Sequence, residues 1–199
     1  MAPNDLSRYG VEGRASHLIR PSPSRSYFSQ MGGPISSVFF RKPKNFLYLR
    51  AVIMKDIAII SPTAYEVGHY EAVCRLVGQL TTRSIVFTAE DYARMVQSPC
   101  SRLFLLLCEG RVVGMLTVGT YLSPTGSKAW IEDVVMDEAL RGSGLGRVLV
   151  EHAIDYCREE GIGTVYLTSN PKRVAANALY QSVGFVRKET NMYKMDLTE

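Results

Sequence analysis

The chain has 199 residues, enough for one well-buried domain and short for two. Hydrophobic residues make up 46% and charged residues 21%, an ordinary globular balance, and no apolar run approaches the roughly 18 residues that would suggest a membrane span. The net charge of +4 is unevenly spread: residues 1–53 hold eight Lys/Arg against Asp5 and Glu12, leaving 15 basic and 17 acidic residues in the remainder, so charge gives no support to a nucleic-acid partner for the main domain. Cys74, Cys100, Cys108 and Cys157 form no CxxC pair and no Cys/His cluster of zinc spacing. They read as reduced thiols of a cytoplasmic protein, and no metal is expected.

Residues 1–53 lack sustained periodicity and centre on Arg20-Pro21-Ser22-Pro23-Ser24-Arg25-Ser26. Such a stretch cannot bury enough apolar surface to offset its ordering entropy. It reads as a basic N-terminal extension: a disordered tail, an Arg- and Ser-rich transit peptide, or the product of a mis-assigned start. The last is preferred, because Met54 immediately precedes a strand pattern. No apolar h-region follows the early charges, so a secretory signal is not expected.

Residues 54–199 read as one domain. Ile57 to Ile60 is strand-like, and Pro62 to Leu80 reads as a helix with Tyr65, Tyr70, Val73, Leu76, Val77 and Leu80 near one stripe. Thr88-Ala89-Glu90-Asp91 has the form of a capping box opening a short helix through Val96. Arg102–Cys108, Val112–Tyr121 and Ala129–Met136 read as successive strands, joined by a tight turn at Glu109-Gly110-Arg111 and a loop at Ser123–Ser127. Leu145, Val148, Leu149, His152, Ala153 and Tyr156 then repeat at helical spacing until Gly161. Val165 to Thr168 is a strand, Val174 to Val183 a helix stopped by Gly184, and Phe185–Glu189 and Asn191–Leu197 are expected as closing strands. This order predicts an α/β (α+β) fold: a mixed, mostly antiparallel sheet with helices on both faces.

The segment Val134-Val135-Met136-Asp137-Glu138-Ala139-Leu140-Arg141-Gly142-Ser143-Gly144-Leu145-Gly146-Arg147 carries the chemical signal. A strand ends, and a Gly-rich turn opens an amphipathic helix. Backbone N–H groups at a helix start are unpaired and carry partial positive charge, glycines let an anion approach them, and Arg141 and Arg147 add full charge. Together they describe a pyrophosphate cradle. It is not the GxGxxG dinucleotide fingerprint, because Arg147 stands where the last glycine belongs, and the Walker lysine is missing.

Arg-Gly-x-Gly-x-Gly after a strand resembles the acetyl-CoA loop of the GCN5-related N-acetyltransferases. A second block, Asn170-Pro171-x-Arg173-x-Ala175-Ala176-Asn177-x-Leu179-Tyr180-x-x-x-Gly184-Phe185, resembles that family's C-terminal segment. The resemblance covers about residues 57–197 and implies acetyl-CoA as cosubstrate and an amine as acceptor. It further implies a splayed central strand pair that admits the pantetheine arm beside the backbone of Val134, Val135 and Met136. The loop residues Arg141, Gly142, Ser143, Gly144, Leu145, Gly146 and Arg147 are then expected at the pyrophosphate. Asn177 and Asn170 are expected to steady the cofactor, although Asn170 also suits a plain turn before Pro171. By the same resemblance, Tyr180 sits near the thioester sulfur, where a neutral phenol can protonate the departing thiolate.

An attacking amine must be neutral, and a carboxylate can take its proton. Glu132 and Asp133 are adjacent on a strand, so alternation predicts that only one faces the cleft. The stretch Ile131-Glu132-Asp133-Val134-Val135 resembles the glucosamine-phosphate acetyltransferase branch, which favours Glu132 as base, with Asp133 second. A salt-bridged structural carboxylate is the competing reading for either. The backbone N–H near Val134 is expected to serve the oxyanion. No cysteine is placed as an acyl carrier, which favours direct attack in a ternary complex. His69, His152 and Cys157 read as packing residues. Arg83, Trp130, Thr190, Asn191 and Tyr193 are acceptor-side candidates by position. A small-molecule acceptor is preferred over a protein lysine or N-terminus, over a non-catalytic acyl-CoA-binding domain, and over a Rossmann enzyme. A homodimer is suggested by family habit alone.

Overall fold

Side chains in a strand alternate between faces, and the apolar run Leu103-Phe104-Leu105-Leu106 therefore supplies two cores at once. In the computed structural model, which describes residues 56–197, Leu103 and Leu105 join a cluster with Val73, Leu76 and Tyr92. Phe104 and Leu106 join another with Leu145, Leu149 and Ala153 on the opposite face. The expectation for residues 1–53 lies outside the described residues.

The sheet order is β1 (Ile57–Ile60), β2 (Ser101–Cys108), β3 (Arg111–Ser123), β4 (Gly126–Met136) and β5 (Thr164–Leu167). The first four pair antiparallel in sequence, and β4 pairs parallel with β5. Helices α1 (Val67–Leu80) and α2 (Ala89–Gln97) contribute to one core cluster, while α3 (Leu145–Glu159) and α4 (Val174–Ser182) contribute to the other. The mixed, mostly antiparallel sheet with helices on both faces is thus present.

Three elements differ from expectation. Helix α1 begins at Val67, not Pro62, because Glu66 is extended (φ −134°, ψ 128°) and forms its N-cap. Tyr65 therefore packs from outside the helix, against Tyr70 and Tyr92 at 6.0 Å each. The expected loop Ser123–Ser127 is a tight hairpin, with β4 running from Gly126 and Ser123 paired to it. The closing strands expected at Phe185–Glu189 and Asn191–Leu197 do not form. Alternation needs a neighbouring strand to become a ladder, and this segment pairs with none among the described residues. Val186, Met192, Tyr193, Met195 and Leu197 are correspondingly exposed.

Candidate active site

The parallel pairing of β4 with β5 stops at Ile131–Leu167, yet β4 continues to Met136. The strand pair therefore opens, and Val134, Val135 and Met136 have β3 on one side and no strand on the other among the described residues. At the opening, Glu132 pairs with Thr117 and Val135 with Met115, so Asp133 and Val134 share the single position opposite Leu116. This is a β-bulge, and Asp133 takes a left-handed backbone (φ 53°) to make it.

The bulge corrects the alternation argument. An extra residue breaks the period of two, and Glu132 and Asp133 both line one cavity of about 560 Å³. Val73, Val77 and Leu80 of α1, Phe87 of the α1–α2 connection, and Thr168 and Ser169 after β5 complete much of its wall. Tyr180 of α4 lines the same cavity while its ring, 8% exposed, packs edge-on against Phe185 at 6.1 Å. The cavity thus gathers all three residues expected to carry catalysis.

Their environments shift their acidity. Desolvation raises Glu132 above the usual carboxylate range, and the neighbouring Asp133 charge adds to the rise. Desolvation likewise raises Asp133. Burial raises the Tyr180 phenol, and the Arg173 charge partly offsets this. Two carboxylates are made more basic and one phenol is kept protonated, a set suited to taking one proton and giving another.

Beyond β4 the chain makes a single 3-10 turn, Glu138–Leu140, started by Asp137, whose Oδ1 accepts from the Ala139 N–H at 3.2 Å. Arg75 of α1 anchors this corner, pairing with Asp137 and donating to the Val112 carbonyl at 2.7 Å. Gly142 (φ 78°) and Gly144 (φ 89°) are left-handed, and Gly144 is the N-cap of α3. A Cβ added at either meets nothing within 4 Å, so the backbone there is open to an approaching group. Gly146 differs: its Cβ would lie 3.4 Å from Met136 Cγ and 3.7 Å from Leu179 Cδ2, a packing position. Leu145 is buried in the core, so its backbone is what it offers an anion.

The remaining candidates have partners within the fold. Arg141 Nε donates to the Met136 carbonyl at 3.2 Å, and Ser143 Oγ donates to Leu140 at 2.6 Å. Arg147 bonds Glu151 Oε1 and Ser182 Oγ, each at 2.9 Å, and so ties α3 to α4. Asn170 Oδ1 accepts from the Lys172 N–H at 2.9 Å, the turn role. Asn177 Nδ2 donates to the carbonyls of Asn170 at 2.9 Å and Arg173 at 3.0 Å, steadying the entry to α4. Of the acceptor-side candidates, Arg83 lines the cavity, while Trp130 stacks on Tyr166 at 5.4 Å across β4 and β5. Thr190, Asn191 and Tyr193 lie outside its lining. His152 and Tyr156 pack on the Phe104 ring, and Cys157 is buried, consistent with core roles.

Two lining residues were not singled out by sequence for a role. Arg173 stood in the second motif; it lines the cavity, and its guanidinium donates to the Leu80 carbonyl at 2.8 Å. Ser169 carries a buried Oγ with no partner among the described residues, at the edge of the strand opening. An open glycine backbone at a helix start, a gap beside Val134–Met136 and this unpaired hydroxyl fit an elongated cosubstrate with an anionic end.

The profile described as "Acetyltransferase (GNAT) family" matches residues 72–185, more than half of the chain. The chain belongs to this family. Among curated relatives, the GNAT chain is 34% identical over 86 residues to streptothricin acetyltransferase of Streptomyces lavendulae, covering 43% of this chain and 44% of that one. It is 32% identical over 108 residues to a rice (Oryza sativa subsp. japonica) protein described as a probable glucosamine 6-phosphate N-acetyltransferase, covering 54% and 57%. It thus spans about half the length of these curated relatives. A solved aminoglycoside acetyltransferase from an uncultured soil metagenomic sample shares the fold, with a TM-score of 0.65 at 19% identity over 74% of this chain and 100% of that one.

Proposed function

We propose that the chain is an acetyl-CoA-dependent N-acetyltransferase that acetylates the primary amine of a small molecule by direct attack in a ternary complex. The observation that carries this reading is the single cavity at the β4–β5 opening that holds Glu132, Asp133 and Tyr180 together. Family membership and the small-molecule acceptors named for two of the relatives support it. Other relatives, 38% identical over 58 residues, are named for a protein acceptor, the alanine of ribosomal protein bS18, which keeps a protein N-terminus as the second reading.

Acetyl-CoA supplies a thioester whose acetyl group is transferred and whose thiol leaves. Glu132, made more basic by desolvation, takes a proton from the acceptor nitrogen as the new C–N bond forms, with Asp133 beside it to orient the amine. Tyr180, kept protonated by burial, gives its phenolic proton to the sulfur as the C–S bond breaks. The Val134 N–H at the bulge offers a fixed hydrogen-bond donor for the acetyl oxygen. The backbone of Val134–Met136 lines the pantetheine arm. The turn from Arg141 through Gly144 to Arg147 receives the pyrophosphate, with Asn170 and Asn177 holding the adjacent entry to α4.

The test is calorimetric titration of acetyl-CoA and of dephosphorylated analogues, followed by CoA-thiol release with a panel of amines. Micromolar binding that weakens without the phosphates, together with thiol release driven by a small amine, is expected. Thiol release with protein or peptide amines alone would move the acceptor class to proteins. Binding without any release would leave an acyl-CoA-binding domain, and no binding to the folded protein would overturn the cosubstrate.

A further inference from the structure

The cavity lined by the carboxylates is also lined by two arginines, from different elements. Arg83 lies in the connection after α1, and Arg173 is the N-cap of α4. Arg173 donates to the Leu80 carbonyl at 2.8 Å, which brings it to the C-terminal end of α1, three residues before Arg83. One of its donors is spent there, and its other guanidinium N–H groups have no hydrogen-bond partner among the described residues. Arg83 has no side-chain hydrogen bond or ion pair among the described residues. The carboxylate whose charge it perturbs, Asp196, is paired with Lys194 at 2.6 Å. The charged lining is therefore divided: Glu132 and Asp133 on β4, Arg83 and Arg173 beside the end of α1.

Resting on the acetyltransferase reading above, we propose that the acceptor is a small amine that also carries an anionic group, a phosphate or a carboxylate. Its amine meets Glu132 and Asp133, and its anion is held by Arg83 and Arg173. A cavity of about 560 Å³ is in the range for small ligands. Both arginines are exposed residues of the cavity lining, and guanidinium groups offer paired donors that match both oxyanions. A polycationic acceptor would satisfy the carboxylates but meet two like charges at the arginines. The selectivity therefore departs from that of the streptothricin and aminoglycoside enzymes it resembles.

The experiment uses the full chain and matched acceptors: ethanolamine with O-phosphoethanolamine, glucosamine with glucosamine 6-phosphate, propylamine with β-alanine, and one aminoglycoside. CoA-thiol release should favour the anion-bearing member of at least one pair by about tenfold or more in kcat/KM, the scale of a charged hydrogen bond. The phosphate and carboxylate pairs identify which oxyanion the site takes. In Arg83→Ala that preference should fall to within about twofold, through the KM of the anion-bearing member rather than its kcat. Arg173→Lys keeps the charge but loses the paired geometry, and should weaken the preference partly, with thermal unfolding confirming that both variants fold. Preference for the uncharged amines or the aminoglycoside, or a preference that survives Arg83→Ala, overturns the anion subsite and leaves acetyl transfer standing. If no amine of this panel is turned over, the small-amine acceptor reading fails. Calorimetry of glucosamine 6-phosphate against glucosamine in the presence of CoA then decides the subsite alone. Tighter phosphate binding lost in Arg83→Ala supports it, and equal or absent binding overturns it.

Discussion

Tyr180 is held in place twice, by its edge-on contact with Phe185 and by burial against the core cluster under α3 and α4. Phenylalanine keeps both contacts and removes only the hydroxyl. Tyr180→Phe is therefore expected to lower kcat by about 10²-fold or more, the scale of a lost general acid, while calorimetric affinity for acetyl-CoA stays put. A collapse in that affinity would show that the hydroxyl serves binding or structure. The carboxylates make a pH prediction. Glu132 and Asp133 are both raised, so the base is lost as pH falls through values above the usual carboxylate range. The kcat–pH profile should show an acid limb that belongs to the pair, and Glu132→Gln should move or erase it. Stability runs the other way. A carboxylate raised in the folded state favours folding below its unfolded pKa, and that advantage disappears as pH rises through its folded one. Glu132→Gln and Asp133→Asn should therefore match the wild type in thermal unfolding at acid pH and exceed it at neutral pH. Equal midpoints at both would mean that the cavity does not desolvate these groups.

At the scale of elements, local signals were read well where a few neighbouring residues determine the outcome. Thr88 Oγ1 accepts from the Asp91 N–H at 3.1 Å and Asp91 Oδ2 accepts from the Thr88 N–H at 3.0 Å, the capping box its sequence announced. Thr88→Ala should cost about 1 kcal/mol in denaturant unfolding. The Thr88 backbone hydrogen bond and the Arg94 partner hold Asp91 down to about 2, so its contribution persists above the ordinary aspartate pKa and disappears as pH falls towards about 2. The α3 start was equally legible, since Gly142 and Gly144 supply the positive φ that the turn requires. Gly144→Val strains a φ of 89° and fills the open approach, and acetyl-CoA affinity should be lost with the fold intact by circular dichroism. Retained affinity would remove the loop from the cosubstrate site. What sequence could not give were features decided by distant partners. The bulge at Asp133 depends on how Thr117 and Met115 register against β4, and nothing in Glu132-Asp133-Val134 announces it. Arg147 follows the glycines as a phosphate ligand would, and its further bonds to Ser182, which tie α3 to α4, depend on where α4 lands. The segment 185–197 alternates as a strand should, yet alternation cannot supply a partner edge.

At the scale of the whole molecule, the positive charge of the sequence is concentrated ahead of Met54. The described core clusters, with their packed neighbours, run from Ile57 to Phe185 and pack both faces of one sheet. Residues 1–53 carry eight of the 23 basic residues and only two of the 19 acidic ones, so their removal changes the net charge from +4 to −2. Stability from apolar burial scales with area removed from water, and the described clusters already supply buried side chains to both sheet faces. A chain beginning at Met54 is therefore expected to unfold cooperatively, with a midpoint within about 3 °C of the full chain, on the order of 1 kcal/mol for a domain of this size. Its affinity for acetyl-CoA should also be unchanged at physiological salt, because every residue expected at the cosubstrate follows Met54. If the shortened chain is insoluble or its midpoint falls well below that range, residues 1–53 complete the core. If it folds but binds acetyl-CoA more weakly, and the deficit shrinks as salt is raised, their positive charge assists the anionic cosubstrate across the surface.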